Sequence, residues 1–122
     1  MSLFLDGVHG DNCATVCVGS VDEAGWRLVE AARRTLDEAL AVCKPGACLT
    51  EIGEAVARVG EEEGVALVKT YSGHGVGEQL HMFPLVLHYR NRERLELWPG
   101  MVFTIEPMVI EGKDHRVDTL ED

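Results

Sequence analysis

The sequence predicts an α+β fold in which an antiparallel sheet carries helices on one face. Three observations lead to this prediction. A two-residue turn signal, Asp6-Gly7, joins two short segments near the start of the chain. Two segments with helical spacing of apolar residues follow it, and short apolar runs separated by turns make up the remainder. The predicted order of elements is β-β-α-α-β-β-β, which is typical of this fold class.

The composition indicates one acidic globular domain. The chain has 122 residues, which suits a single domain, and 46% of them are hydrophobic, which is enough for a core. The formal net charge is −10, from 21 acidic against 11 basic residues, so nucleic acid is not expected as a partner. No apolar run reaches the roughly 18 residues that a transmembrane helix needs, so a membrane span is not expected.

The four cysteines predict reduced thiols rather than disulfides or a zinc site. The first residues, MSLFLDG, lack the basic and apolar regions of a secretion signal, which favours a reducing, cytosol-like compartment. No pair of cysteines has the CxxC spacing of a zinc ligand pair. The cysteines are therefore interpreted as small buried hydrophobic residues: Cys13, Cys17, Cys43 and Cys48.

The first half of the chain is predicted to contain a hairpin and a helix. The hairpin spans SLFLDGVHGDNCATVCVG, with the β-branched stretch Thr15–Val18 continuing its second strand. Ser20 followed by Glu23 is a capping box, which predicts the start of the helix. The apolar face of this helix recurs at helical intervals: Val29, Ala32, Leu36, Ala39, Leu40 and Cys43.

The second half is predicted to contain one further helix and several strands. Thr50 is the predicted cap of this helix, and Gly64 is its predicted stop. Its inner face is apolar: Ile52, Val56 and Val59. Apolar runs predict the later strands: Val65–Lys69, Pro84–Tyr89, Met101–Ile105 and the start of another at Val109-Ile110.

Three polar residues occupy positions that suggest chemistry. The stretch YSGHGVGEQLH holds His74 among three glycines, which leaves open space around the imidazole or the backbone. Asp11 lies within the predicted second strand, and Glu106 closes the apolar strand VFTIEP. A buried carboxylate is costly unless it is paired or bound to a cation. If these side chains converge, they form a site for manganese, cobalt, iron, zinc or magnesium, and pairs of such metals activate water for hydrolysis.

Each of these residues also has a plainer interpretation. Glu106 can be exposed or salt-bridged, Asp11 can be a turn residue, and His74 can be a loop histidine bonded to the backbone. Nucleophilic catalysis is disfavoured, because no serine or cysteine near a histidine matches a known nucleophile signature. The glycine-rich stretch also lacks the lysine-containing pattern of a phosphate-binding loop.

Three stretches in order, DGVHGD, SGHGVG and PGMVFTIEPM, resemble the type I methionine aminopeptidases of metallopeptidase family M24. The resemblance covers nearly the whole chain, including KPGACLTEIG and VLHYRN. It implies the pita-bread form of the α+β fold, also called the creatinase/aminopeptidase fold, with residues 1–122 as part of one catalytic domain. It also implies a metal-dependent aminopeptidase that removes the initiator methionine from nascent proteins.

The resemblance further implies two divalent metal ions, cobalt, manganese, iron or zinc, held by two Asp, one His and two Glu. Asp11 matches the bridging aspartate, His74 matches the histidine, and Glu106 matches the first glutamate of that set. His81 matches the histidine that contacts the substrate and stabilises the transition state. The implied partners are nascent polypeptide N-termini that begin with methionine.

The family's other ligands would fall before Met1 and beyond Asp122, so we expect a truncated chain with a partial metal site and little or no aminopeptidase activity. We also expect uncovered sheet edges through which the chain self-associates. The expected location is the cytoplasm, or the mitochondrion if a transit peptide lies upstream. Two alternatives stay open: a non-catalytic binding module of this fold, and another metallopeptidase of the fold that acts on X-Pro substrates or creatine.

Overall fold

The computed structural model describes residues 1–112 and Val117, and it has the predicted α+β character. Two helices pack against each other: α1 (Glu23–Ala41) and α2 (Leu49–Glu63). Six short strands accompany them in this part of the chain: β1 (Ser2–Leu5), β2 (Val8–Asp11), β3 (Ala66–Leu67), β4 (Gly73–Gly75), β5 (Met82–Val86) and β6 (Val109–Ile110). All pairing is antiparallel, as predicted, but the strands form three separate pairs, β1-β2, β3-β6 and β4-β5.

The hairpin β1-β2 carries Asp11 at its end. Asp6 and Gly7 both have positive φ, 50° and 88°, as the two central residues of a type I′ turn do. Ser2 pairs with Asp11 at the open end of the hairpin, where β1 begins. The predicted continuation of β2 through Thr15–Val18 is wrong, because β-branched residues also need a neighbouring strand and β1 supplies none there.

His9 ties this hairpin to the glycine-rich loop. Its backbone amide donates to the Gly77 carbonyl oxygen at 2.7 Å, and its ring Nδ1 lies 3.1 Å from the same oxygen. The apolar side chains of β1 remain between 60% and 64% exposed: Leu3, Phe4 and Leu5. The hairpin that carries Asp11 thus contacts the glycine-rich segment after β4 through His9 rather than through the apolar side chains of β1.

Helix α1 begins later than its predicted cap. Asp22 is the cap, because its carboxylate accepts a hydrogen bond from the Gly25 amide at 2.8 Å; the capping box at Ser20 is wrong. The predicted apolar face is only partly correct, since Leu40 is exposed. The fully buried residues of α1 are small, which allows α2 to approach closely: Ala31, Thr35 and Ala39.

Helix α2 supplies much of the core. Its inner face is fully buried, as predicted: Ile52, Val56 and Val59. The helix follows Cys48, whose amide donates to the Glu51 carboxylate at 2.8 Å, so the prediction of Thr50 as the cap is wrong. The helix ends at Gly64, as predicted, and Gly64 has the left-handed φ of 68° that favours glycine at a helix end.

Strand β4 runs beside the segment predicted as a strand, Met101–Ile105. The Thr104 amide donates to the His74 carbonyl oxygen at 2.8 Å, and Phe103 pairs with Gly75 as a single bridge. Strand β4 has only three residues, and its pairing with β5 is irregular between His74 and Gly75. Such an irregularity interrupts a ladder. The predicted strand is therefore reduced to this one bridge.

The other predicted strands are present but shorter. Residues within Val65–Lys69 pair with Val109-Ile110 as β3 and β6, and the run Pro84–Tyr89 overlaps β5. The cysteines are less buried than predicted: Cys13 is exposed and the others are only partly buried. They lie in the loop after the hairpin and around the helix ends, outside the fully buried face of α2.

Candidate functional site

Three of the predicted site residues converge on one cleft. Asp11 ends β2, His74 is the central residue of β4, and Glu106 follows the segment beside β4. The His74 Nε2 atom lies 3.2 Å from Glu106 Oε1 and 3.8 Å from Asp11 Oδ2. The cleft has a volume of about 550 Å³ and is also lined by apolar side chains: Met82, Phe83, Leu85 and Met108. Residues far apart in the sequence thus meet in one cleft with polar and apolar walls.

Two glycines explain how His74 is buried between neighbouring backbone segments. A Cβ atom on Gly73 would lie 2.3 Å from the Thr104 carbonyl oxygen, and one on Gly75 would lie 2.2 Å from the Phe83 carbonyl oxygen. Only a residue without a Cβ atom fits such spaces. The close approach leaves His74 only 5% exposed. The glycines that the sequence places around His74 therefore allow two backbone segments to enclose it.

The hydrogen bonds of His74 determine which ring nitrogen faces the carboxylates. Nδ1 lies 3.1 Å from the Gly75 carbonyl oxygen, and because a carbonyl can only accept, Nδ1 carries the proton. In the neutral ring, the Nε2 lone pair is then directed at Glu106 and Asp11. The two interpretations of His74, as a histidine bonded to the backbone and as a candidate metal ligand, are therefore compatible. Its Nδ1 bonds the backbone, and its Nε2 faces the carboxylates. Three acceptor atoms so placed repel one another unless a cation or a shared proton lies between them.

These side chains suit a divalent metal ion. Two carboxylates and one imidazole are the ligand types that borderline divalent metals accept. Ligand atoms about 2.1 Å from one ion and at right angles lie about 3 Å apart, so His74 and Glu106 are already spaced as co-ligands. Asp11 lies further out, and among the residues that the structure describes no three His, Cys, Asp or Glu form a complete metal-binding group. Two ligands of one ion can lie up to about 4 Å apart, so the Asp11 carboxylate is still within reach of an ion bound by His74.

His81 stands beside His74 at the rim of the cleft. The two ring centroids are 4.4 Å apart, and the rings meet nearly edge to face at 75°. His81 is exposed whereas His74 is buried. An exposed imidazole next to the buried one can reach a molecule in the cleft and exchange a hydrogen bond with it.

Two residues that the sequence analysis did not single out hold Glu106 in place. Thr104 Oγ1 donates to Glu106 Oε1 at 2.6 Å, and the Glu106 amide donates to His88 Nε2 at 3.1 Å. His88 is buried, and burial lowers its pKa to about 4, so its ring is neutral and Nε2 can accept. Both residues lie in stretches that carry the family resemblance, FTIEPM and VLHYRN, but neither stretch indicates what its residues contact.

An α+β fold that gathers two carboxylates and a buried imidazole at an open cleft is typical of metal-dependent hydrolases. The sequence profile of metallopeptidase family M24 matches residues 1–121, and the chain belongs to that family. The family predicted from the three sequence stretches is therefore confirmed. Membership of a metallopeptidase family implies the use of divalent metal ions.

The chain is similar to methionine aminopeptidases in sequence and structure. It is 41% identical over 112 residues to the mitochondrial methionine aminopeptidase 1D of Mus musculus, across 92% of this chain and 33% of that protein. The crystal structure of methionine aminopeptidase from Thermotoga maritima superposes with a TM-score of 0.89 at 38% identity, across 95% of this chain and 47% of that chain. The prolidase of Pyrococcus furiosus superposes with a TM-score of 0.74 at 27% identity, across 87% of this chain and 31% of that chain.

These similarities confirm the predicted pita-bread fold class. Several curated methionine aminopeptidases match at 38% to 43% identity, and the chain spans between 30% and 46% of their length. The roles of Asp11, His74, His81 and Glu106 stay predictions, because they depend on a metal and a substrate at the cleft.

Proposed function

We propose that this chain forms part of the catalytic domain of a metal-dependent aminopeptidase that removes N-terminal methionine from nascent proteins. The observation that carries the proposal is the convergence of Asp11, His74 and Glu106 on one cleft, in a chain whose relatives are named methionine aminopeptidases. Residues 1–122 would make up part of that domain, over the length that the chain shares with those relatives.

Asp11, His74 and Glu106 would hold a divalent ion, which the family resemblance implies to be cobalt, manganese, iron or zinc. When bound, such an ion supplies Lewis acidity toward water and toward the carbonyl group of the scissile bond. The chain's own contribution is to keep the lone pair of His74 Nε2 directed into the site, since Nδ1 is engaged with the Gly75 carbonyl oxygen. The two carboxylates supply the negative charge that a divalent cation requires.

The proposed role of His81 is to bind the substrate and to donate a hydrogen bond to its carbonyl oxygen as negative charge develops there. Two observations support this role. The ring is exposed at the cleft, and it lies beside the candidate ligand His74, with 4.4 Å between the ring centroids. A hydrogen-bond donor at that place would act close to the atoms that react.

The cleft supports a peptide N-terminus with an apolar first side chain as the substrate. Apolar side chains line it beside the carboxylates of Asp11 and Glu106. A methionine side chain would contact the apolar surface. The positively charged amine of the peptide would be attracted to the carboxylates.

We propose that the chain alone has little or no aminopeptidase activity. The full ligand set that the resemblance implies is larger than the three residues that converge here. Fewer ligands hold a metal ion less tightly, and the loss of even an outer-shell partner costs about 10–100-fold in metal affinity. A loosely held ion would leave hydrolysis slow.

A second candidate is a peptidase of the same fold that acts on X-Pro bonds, because a prolidase structure is also similar. The methionine aminopeptidase structure has both the higher TM-score, 0.89 against 0.74, and the higher identity, 38% against 27%, which favours methionine removal. A non-catalytic binding module is less favoured, since Asp11, His74 and Glu106 all keep metal-binding side chains.

We propose a cytoplasmic location, with the mitochondrion as the alternative because several relatives are named as mitochondrial. Over residues 1–112, no helix has the length and apolar character needed to cross a membrane. Self-association through the hairpin is also proposed, because the apolar side chains of β1 are mostly exposed: Leu3, Phe4 and Leu5.

The test measures metal binding and hydrolysis on the same proteins. Titration calorimetry with Mn²⁺ or Co²⁺ compares the chain with its His74→Ala and Glu106→Gln variants. Glu54→Gln is the matched control, because Glu54 is a surface carboxylate that pairs with Arg90 at 3.0 Å. Release of methionine from a Met-Ala-Ser peptide is then followed with each protein, and an Ala-Pro peptide is followed in parallel.

We expect metal binding that is lost in both site variants and retained in Glu54→Gln, with methionine release close to background. Metal binding that neither site substitution weakens would refute the proposed ligands. Rapid metal-dependent release by the unsubstituted chain would contradict the proposed low activity. Cleavage of Ala-Pro in preference to Met-Ala-Ser would favour the X-Pro candidate.

A further inference from the structure

We propose that Thr104 is a positioning residue that couples the candidate ligands His74 and Glu106 through one hydroxyl group. The inference rests on the proposed function, because it concerns how a proposed metal ligand is held. Thr104 is partly buried in the segment beside β4, two residues before Glu106.

The Thr104 hydroxyl lies between the two ligands. Oγ1 accepts a hydrogen bond from the His74 amide at 3.0 Å, and it lies 2.6 Å from Glu106 Oε1 and 3.4 Å from the His74 carbonyl oxygen. A hydroxyl has one proton to donate and two lone pairs to accept. The carboxylate oxygen is the nearer acceptor and the charged one, so the proton is directed to Glu106.

The position of this hydroxyl is itself fixed relative to His74. The Thr104 amide donates to the His74 carbonyl oxygen at 2.8 Å. The absence of a side chain at Gly73 lets the Thr104 carbonyl group lie directly against β4. Threonine is β-branched and therefore has restricted rotation about χ1. The backbone of the first ligand thus sets the place from which Thr104 orients the second.

This arrangement prepares Glu106 for a metal ion. Glu106 Oε1 is held 3.2 Å from His74 Nε2, which is the spacing of two ligands of one ion. A glutamate side chain that is already ordered loses less conformational entropy when an ion binds. Loss of the hydroxyl would release the carboxylate and weaken metal binding by about 10–100-fold, as the loss of an outer-shell partner usually does.

The experiment compares two substitutions at Thr104 with one at another buried threonine. Thr104→Val removes the hydroxyl at nearly constant size, and Thr104→Ser retains it. Thr35→Val is the matched control, because the Thr35 hydroxyl donates to the Ala32 carbonyl oxygen at 2.7 Å within α1. Each variant is titrated with Co²⁺, which reports affinity together with the visible absorption spectrum of the bound ion. Circular dichroism confirms folding, and His74→Ala defines loss of the site.

We expect Thr104→Val to bind Co²⁺ about 10–100-fold more weakly with an altered spectrum, and Thr104→Ser and Thr35→Val to remain within about threefold of the unsubstituted chain. If Thr104→Val does not fold, Thr104→Ala removes the hydroxyl without a methyl group against the carboxylate. Failure of both to fold, while Thr104→Ser folds, would mean that the hydroxyl supports the fold and would overturn the inference.

Two further outcomes separate this inference from the proposed function. If Thr104→Val keeps the Co²⁺ affinity and spectrum of the unsubstituted chain while His74→Ala loses binding, the role of Thr104 is overturned but the metal site is not. An unsubstituted chain that binds no Co²⁺ would overturn both the metal site and the role of Thr104. A serine variant as weak as the valine variant would also contradict the inference, because its hydroxyl is present.

Discussion

Replacing Gly73 with alanine tests why the segment around His74 is rich in glycine. Gly77 offers a matched position three residues after His74, just beyond β4. Neither glycine has a positive φ, so the backbone of both positions accepts alanine. The two substitutions therefore differ mainly in the space that the new methyl group would occupy.

The structure gives the expected magnitudes. The new Cβ at Gly73 would lie 2.3 Å from the Thr104 carbonyl oxygen and 3.2 Å from Val86 Cβ. Ordinary contact would require a backbone shift of about 1 Å, and overpacking of this kind costs about 1–3 kcal/mol. At Gly77 the nearest atom is Met82 Sδ at 3.6 Å, an ordinary contact. We expect Gly77→Ala to change the free energy of unfolding by less than about 0.5 kcal/mol.

Urea unfolding followed by circular dichroism measures both variants against the unsubstituted chain. The Gly73→Ala variant should also bind Co²⁺ more weakly, because the displaced Thr104 segment leads to Glu106. Equal unfolding free energies for the two variants, within about 0.5 kcal/mol, would refute the argument that close backbone approach requires glycine at Gly73.

Three further predictions concern the core, pH and association. Ile52→Ala should lower the free energy of unfolding by about 2–5 kcal/mol, because Ile52 is fully buried. Leu40→Ala, on the exposed side of α1, should change it by less than about 1 kcal/mol. Equal effects of the two substitutions in urea titrations would contradict this placement of the core. The pKa of His88 is lowered from 6.5 to about 4 by burial, so the unfolded chain gains a proton between these values while the folded chain does not, and stability should fall as pH drops through this range. The loss is about 3 kcal/mol, and thermal unfolding of His88→Gln should show a smaller drop over the same range; an identical drop would contradict the neutral buried ring. Phe4→Glu should reduce self-association measured by light scattering, because Phe4 is an exposed apolar residue of β1, and a chain that is monomeric without the substitution would contradict association through the hairpin.

Features that depend on neighbouring residues could be predicted from the sequence. The turn at Asp6-Gly7 requires two residues that tolerate positive φ, and the helix stop at Gly64 requires one. The buried position of Ile52 follows from helical spacing alone. Each of these signals acts over a few residues, so the sequence carries it completely.

Features that depend on a distant partner could not be predicted in this way. Thr15–Val18 has strand propensity but no strand beside it, and Met101–Ile105 lies against a β4 too short and irregular to continue a ladder. The start of α1 is a local feature that the sequence leaves open, because Ser20 and Asp22 are both suitable caps and lie two residues apart.

The candidate site has residues that the sequence indicates and contacts between them that it does not. Asp11, His74 and Glu106 are each ambiguous alone: their positions suggested a metal site, and the family resemblance implied the role of each. Their separations of 3.2 Å and 3.8 Å come only from the fold. The contact of Thr104 with His74 has no local sequence signal, because it joins two segments that are distant along the chain.

The hydrogen bond between His9 and Gly77 holds the hairpin that carries Asp11, the third candidate ligand, against the segment after β4. His74 and Glu106 are fixed to each other through Thr104, whereas Asp11 is carried by the hairpin that His9 ties to the loop. An ion bound by Asp11 together with His74 and Glu106 would therefore also favour the docked hairpin. By reciprocity, a surface that covers the apolar strand β1 and holds the hairpin in place would raise the affinity for that ion. Binding of an ion and covering of β1 would then shift the same equilibrium, between the docked and the undocked hairpin.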